Sequence, residues 1–593
     1  MALHPSAPRL QLHVLVLLSA IFCLALFLAW EPLLSFPIWG SDTGEYYYLT
    51  HYLVQHGSLL LQGYSGWGFG YPYFPGMFVL SGAIAEAFGA SPLFALQVVI
   101  PLTGALSLFP LFLLARKILP SDGAALVGAG IASVVFPRIF ILSHPVPDTL
   151  GDLLALGSLW MFVEQRRDAR WLLPLTLTVS ALVVSHHLSS YFFLLSAVSI
   201  LVGLEFVSPG RWSARFPLRE FVFLGGFTSL LFAYWSLYAV PFRQILLEGL
   251  PFLHNHPSLA PPLELAATLF MLGILGLLVQ LRRTRFSGVR SLLRPNWPTT
   301  RKIYRDGIIL AVLIFGGASL LIFFPIPGTG QMAPPVDVLW FTPLLVLVPF
   351  STGGIRLSAI SRLGPSPYVW LVGLIVSVTL TAGLNVQAIP LARQAEYVVL
   401  AMSMVCAIGI GGLFARLEGS TWKSVAAAGL VVLAIGANAL VAVPPPQVTD
   451  GFQEGFSHQD ITEASWMAAS LSHGSTLASD HRLSDLYFGL SGNPATWWTT
   501  CYLFLGNSSE CPSYPGNVSQ AVQSELNGSG APTVVRPVNA VAVDGTMISV
   551  GVALDPAQYA YPMNATQLKF LQGPQFVLLY ENGPQEVWWV TGS

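Results

Sequence analysis

Charge is what this chain has least of. Only 9% of its 593 residues are Asp, Glu, Lys or Arg, against about 25% in soluble globular proteins. A water-soluble protein of this length would need far more, so a cytosolic enzyme is excluded, and so is a disordered chain, whose composition is the reverse. A basic excess is also missing. Lys and Arg number 27 and Asp and Glu 29, a formal net charge of −2, which removes the electrostatic footprint of a nucleic-acid binder. Four cysteines are too few to staple a chain this long. Several catalytic signatures are absent as well. There is no Gly-x4-Gly-Lys-Ser/Thr loop, no His-Glu-x-x-His, no Gly-x-Ser-x-Gly and no Cys/His group at zinc spacing, so ATP-driven pumping, metalloprotease and serine-hydrolase chemistry lack support. We find no internal repeat.

What is present is apolar sequence, 54% of the chain. A membrane span needs about 20 mostly apolar residues. Such runs lie near 12–30, 94–115, 122–137, 148–163, 171–184, 189–206, 220–240, 263–281, 307–325, 337–350, 367–385, 398–415 and 424–443. They predict a mainly α fold, a polytopic helical bundle of about thirteen spans. The first run is long and no small-x-small cleavage site follows it, so it reads as an uncleaved anchor. The shorter run 76–88, between Pro75 and Gly89, reads as an interfacial or re-entrant helix. With the N-terminus cytoplasmic, 21 of the 27 basic residues fall on inside loops, as the positive-inside rule requires for a protein of the cell membrane. In the outer membrane loops only Arg138, Arg243 and Arg393 remain.

Residues 1–443 thus form a membrane domain with a large first outer loop, 31–93. After Pro444-Pro445-Pro446 the chain turns polar, with short runs such as Ala540–Val543 and Phe576–Tyr580 between turn residues. Residues 444–593 are expected to be an extracytoplasmic mixed α/β domain. All four N-x-Ser/Thr sequons, at Asn507, Asn517, Asn527 and Asn564, fall there. Cys501 and Cys511, ten residues apart, are expected to pair in that oxidising setting.

The most informative stretch follows the first span. Around Trp39 and Ser41-Asp42-Thr43-Gly44-Glu45-Tyr46-Tyr47-Tyr48 it sets two carboxylates among aromatic residues that continue through Tyr64, Trp67, Tyr71 and Tyr73. Flat rings with nearby carboxylates suit sugars. The same residues also have a structural reading. Asp42 and Glu45 have capping-box spacing for a helix ending before Gly57, and Tyr and Trp form ordinary interfacial belts. The next outer loop carries Arg138, His144, Asp148 and Asp152, another carries His186 and His187, and Arg243, His254, His256, Arg393 and Glu396 complete a one-sided ionisable set. Ionisable groups at a membrane boundary are costly unless solvated or used. As a set they point to a functional cavity on the outer face.

Four features, in this order, resemble the GT-C superfamily of membrane-embedded glycosyltransferases, which includes protein O-mannosyltransferases, aminoarabinose transferases of lipid A and oligosaccharyltransferases. Asp42 follows the first span in a large outer loop. Tyr71-Pro-Tyr-Phe-Pro75 leads into a short helix. Pro147-Asp148 opens the fourth span, and a soluble domain closes the chain. The resemblance implies a hexosyl- or pentosyltransferase that moves a sugar from a polyprenyl-phosphate carrier to a protein, lipid or glycan acceptor, with inversion. It implies Asp42 as general base, with Glu45 and Asp148 as further catalytic carboxylates. Trp39, Arg138, His144, His186, His187, Arg243 and Arg393 would bind the substrates, the arginines holding the lipid phosphate. A divalent metal ion on Asp42 or Asp148 is left open. The sequence departs from oligosaccharyltransferases at their Trp-Trp-Asp-Tyr-Gly motif, where Trp497-Trp498-Thr499-Thr500-Cys501 lacks the Asp. The paired acidic motif of their second outer loop is also missing. A tail segment, Ser479-Asp480-His481-Arg482-Leu-Ser-Asp485, reads as structural, with contact to the acceptor or a roof over the cavity as the alternative. The rival readings are a lipid or solute transporter or flippase, and a non-catalytic glycolipid-binding relative of the same fold.

Overall fold

A computed structural model describes residues 11–59, 64, 66–204, 218–248, 301–320, 322–324, 335–360, 365–383, 391–416, 421–446, 448, 453–496, 500–506, 511, 516–527, 537–554, 561–563 and 565–591. The expected span at 263–281, His254, His256, Trp497, Trp498, Asn507 and Asn564 lie outside them. The chain divides into two compact units, one of residues 1–29, 102–143 and 147–443, the other of 30–101, 144–146 and 444–593. The first outer loop and the tail therefore share a unit.

The first unit is helical. Among the described residues of the whole chain, five helices are long and apolar enough to cross a membrane: Leu12–Leu34, Pro92–Ile118, Leu218–Tyr238, Val338–Ser358 and Arg393–Ala415. This makes the chain an integral membrane protein, and among the described residues these five match five of the thirteen expected spans. Several expected spans are shorter helices, such as Asp122–Ala132, His187–Val202 and Ala428–Leu440. The helix Pro147–Glu164 carries three acidic residues, Asp148, Asp152 and Glu164. The run 122–137 stops early because its helix ends at Ala132 with Ser133 as C-cap, four residues before Pro137, which has no backbone N–H to continue it. The helix Leu391–Arg416 is the hub, packing on Leu347–Ile360, Pro365–Gly383 and Asp122–Ala132. Leu347, Phe350, Cys406, Ile410 and Val431 form part of its core. One group of polar residues of this unit lies near the starts of helices: Asp148 and Asp152 in Pro147–Glu164, His186 as the N-cap of His187–Val202, and Arg393, Glu396 and Tyr397 in Leu391–Arg416.

The second unit is mixed α/β. A four-stranded sheet runs in the order Leu477–Ala478, Ala540–Val543, Gln585–Val590, Phe576–Asn582, with the first pair parallel and the others antiparallel. Ala540–Val543 is buried at every position, so that strand is covered on both faces, while the edge strand Phe576–Asn582 is mostly exposed. Cys501 and Cys511 form a disulfide with a Cα–Cα distance of 5.5 Å, beside the core of Leu503, Phe504, Val541 and Trp588. The helix Gly76–Phe88 has the bounds read from the sequence.

Two contacts within this unit position the loop against the tail. The strand Ile38–Trp39 pairs antiparallel with Gly455–Phe456. The helix Thr43–His56 packs on the helix His481–Ser491. They meet at glycine: a Cβ on Gly44 would run into the carbonyl of Asp485 and lie 2.6 Å from Cα of Leu486, and one on Gly489 would strike the carbonyl of Gly44. Only glycine lets the two backbones approach so closely. The helix Thr43–His56 ends at Gly57, whose φ of 66° is left-handed.

Candidate functional site

The capping-box reading of Asp42 fails in the structure. Asp42 precedes the helix Thr43–His56, but its side chain makes no cap hydrogen bond. The carboxylate points elsewhere. Oδ1 lies 2.8 Å from His481 Nε2. Oδ2 lies 3.1 Å from the hydroxyl of Tyr46 and 3.4 Å from that of Tyr71, and the two hydroxyls are 3.1 Å apart. The Asp42 side chain is 17% exposed and that of His481 is fully buried. Trp67 packs edge-on against the imidazole at 4.9 Å.

Glu45 is fully buried. It accepts from the Tyr64 hydroxyl and, at 2.8 Å, from the Gly68 amide. Burial lifts its carboxyl to about 8, the Asp42 charge adds to the rise, and the two hydrogen bonds only partly offset it. At neutral pH Glu45 is therefore a neutral acid that ties Tyr64 and Gly68 to its helix. Burial alone would depress the His481 imidazole, but the carboxylates of Asp485, Asp42 and Asp480 outweigh it and push the group up to about 9. His481 is thus a cation at neutral pH.

Beside this centre, Trp39 and His144 pack ring against ring at 5.2 Å, and both are buried. The Trp39 amide donates to Gln97 Oε1 at 3.1 Å. Glu454 Oε2 accepts from the Ser41 amide at 2.8 Å and lies 3.5 Å from His144 Nε2. His144 lowers the Glu454 carboxyl to about 2 against the opposing effect of burial. Trp39, His144 and Glu454 thus fix the strand that leads into Asp42.

The first unit holds a separate cluster. Asp148 Oδ1 accepts from Ser189 Oγ at 2.7 Å and lies 3.0 Å from His186 Nδ1, while Oδ2 is 3.6 Å from Arg393. The Tyr397 hydroxyl is 3.3 Å from Asp148 and 3.0 Å from Ser189 Oγ. His187 packs on His186 at 4.8 Å and on Phe242 at 4.2 Å. Arg138 is held by Asp152 at 3.1 Å, Ser107 at 2.6 Å and the Ala132 carbonyl at 3.4 Å. It is 2% exposed, so its guanidinium is already engaged. Among the described residues Arg243 makes no hydrogen bond or ion pair to either carboxylate centre.

Two groups have metal-ligating atoms within 4.8 Å of one another: Asp42, His481 and Asp485; and Asp148, Asp152 and Glu396. In the first, two carboxylates lie 2.8 and 3.8 Å from the one imidazole nitrogen Nε2, while His481 Nδ1 is buried without a hydrogen-bond partner. The second fits a cation better. Asp152 Oδ1 and both Glu396 oxygens are buried with no hydrogen-bond donor, and an all-oxygen set suits a hard divalent ion.

The sequence had singled out Asp42, Glu45, Trp39, His144, Asp148, His186, His187 and Arg393, and each lies in or beside one of the two centres. It had not pointed to Glu454, Ser189 or Tyr397, and it had read His481 and Asp485 as structural. The density of polar groups in 479–485 was the one available signal.

No protein-family model and no curated protein matches the sequence. Solved structures do match, at low identity. The oligosaccharyltransferase of Archaeoglobus fulgidus in its apo form is 15% identical, with 90% of this chain and 69% of that one covered and a TM-score of 0.56. The same organism's oligosaccharyltransferase AglB with an inhibitory peptide and a dolichol-phosphate is 14% identical, with 90% and 69% covered and a TM-score of 0.54. A complex of that enzyme with zinc and sulfate is 14% identical, with 89% and 67% covered and a TM-score of 0.52. At the level of the fold, the resemblance to GT-C enzymes holds.

Proposed function

We propose that the protein is a glycosyltransferase of the outer face of the cell membrane. It transfers a sugar from a polyprenyl-phosphate carrier to an acceptor hydroxyl, with inversion. The observation that carries this reading is the state of Asp42. Its carboxylate does not cap its helix, is largely withdrawn from water and is held by His481, Tyr46 and Tyr71. The fold and the surrounding aromatic rings support it.

In this reading Asp42 removes the acceptor's proton as its oxygen attacks the anomeric carbon. The sugar–phosphate bond breaks and the lipid phosphate leaves with the electron pair. A phosphate is already a good leaving group, so it needs positive charge more than a proton. Arg393, whose guanidinium lies 3.6 Å from Asp148, is the candidate for that role. A divalent cation held by Asp148, Asp152 and Glu396 would add positive charge of the same kind. Asp42 lies in none of the five candidate spans, which disfavours a transport pathway through it. The one-sided placement of Lys and Arg supports a cytoplasmic N-terminus and an extracytoplasmic tail.

The test is transfer from radiolabelled polyprenyl-phosphate sugars in reconstituted vesicles, wild type beside Asp42→Asn. We expect transfer by the wild type and its loss in a variant that still folds and binds donor lipid. If the wild type transfers from no donor offered, the protein is a binding or transport relative instead.

A further inference from the structure

We infer that His481, supplied by the tail, is a positioning residue for Asp42: it holds Oδ1 so that the remaining lone pair of that oxygen faces the acceptor hydroxyl. The inference rests on the transferase reading above. It starts from the hydrogen-bond inventory of one carboxylate. An ionised Asp offers about four acceptor sites, two on each oxygen. The hydroxyls of Tyr46 and Tyr71 both approach Oδ2, and His481 Nε2 takes one site on Oδ1. The site left open is therefore on Oδ1, the oxygen that His481 fixes. A base must place one lone pair on one proton, so the group that sets the rotation of its carboxylate sets its geometry.

His481 is built to stay in place. It opens the helix His481–Ser491, which Asp480 caps by accepting from the Leu483 amide at 2.9 Å. Trp67 closes one side of the ring and Asp485 Oδ2 lies 3.8 Å from Nε2. The glycine contact between Gly44 and Gly489 seats the whole helix on the one that Asp42 precedes. Beside His481, Arg482 lies buried among Asp460, Asp480 and Asp544 and over the ring of Phe456 at 5.0 Å. That buried cluster anchors the helix to the sheet domain. The tail then contributes an atom to the orientation of the base.

A purely structural histidine would lose stability when replaced and would not move the chemical step selectively. The experiment compares His481→Ala and His481→Gln in the full-length protein in vesicles, since the Gln amide nitrogen reaches where Nε2 lies. We expect His481→Ala to lower kcat about 10- to 100-fold with donor KM within about twofold, and His481→Gln to recover most of that loss. In parallel, a carboxyl-directed diazo reagent read by mass spectrometry should label Asp42 several-fold faster in His481→Ala than in wild type. Unchanged kcat in His481→Ala would overturn the inference, as would a Gln variant no better than Ala. Unchanged labelling would overturn it independently of turnover. If the wild type shows no transfer, the functional reading fails, and the labelling result alone decides whether His481 holds Asp42.

Discussion

The two carboxylate centres are built in different ways. Asp148 is surrounded by His186, Ser189, Arg393 and Tyr397, all at the starts of apolar helices in one unit. The Asp148 side chain is only 3% exposed, and Arg393 is the charged partner at 3.6 Å. Asp42 sits between a loop helix and a tail helix, and its partners are one imidazole and two phenols. A carboxylate held by a guanidinium, an imidazole and two hydroxyls is suited to holding and orienting charge. One with a single cation and a lone pair to spare is suited to accepting a proton. In the proposed reaction, electrostatic work on the phosphate would fall to the first centre and proton transfer to the second.

That contrast can be broken from either side. The largest effect should come from the platform under His481. Removing Arg482 leaves Asp460, Asp480 and Asp544 buried around an empty space, so Arg482→Ala should destabilise the unit of loop and tail by about 3–5 kcal/mol. Thermal unfolding of the purified protein would show an early transition while the helical unit melts as before. A single unshifted transition would mean that the cluster does not anchor the helix. A smaller effect is expected at Asp148. Asp148→Asn should weaken donor-lipid binding about tenfold, the scale of one charge-assisted hydrogen bond. Donor affinity measured by titration in vesicles checks this, and a loss confined to kcat would erase the division of labour. The smallest effect concerns pH. Burial lifts the Glu525 carboxyl from its ordinary 4.5 to about 8, against the hydrogen bonds it accepts from the Tyr502 and Leu503 amides. The folded tail therefore keeps a proton that the unfolded chain releases above 4.5. Stability should fall as pH rises from about 4.5 to about 8 and level off beyond. Glu525→Gln should flatten that slope in denaturation curves at pH 5 and pH 8, and an unaltered slope would place its origin elsewhere.

Much of the first-unit cluster was legible because polar residues stand out at the ends of apolar runs. Pro147-Asp148 and Ser185-His186-His187 are conspicuous where almost every neighbour is Leu, Val or Phe. The helix 43–56 was legible from its glycine stop at Gly57. Whether Asp42 capped that helix was not, because capping and catalysis need the same residue in the same place. Only the direction of the carboxylate separates them. Its partner His481 is 439 residues away in the chain, and a polar helix start reads the same whether it faces solvent or another carboxylate. Span number was legible only coarsely. Apolar composition marks a run, but a Ser133 or a Pro137 near its end decides whether the helix is 11 residues long or 18.

Proton abstraction by Asp42 is tested most directly by the rate of a single turnover. Vesicles preloaded with a polyprenyl-phosphate sugar would be mixed with acceptor, wild type beside Asp42→Asn, and donor affinity measured in the same preparations. Asp42→Asn should bind donor within about twofold of wild type and run the transfer step about 10²- to 10⁴-fold more slowly, the usual worth of a general base. A variant that binds donor normally and transfers at the wild-type rate would contradict it.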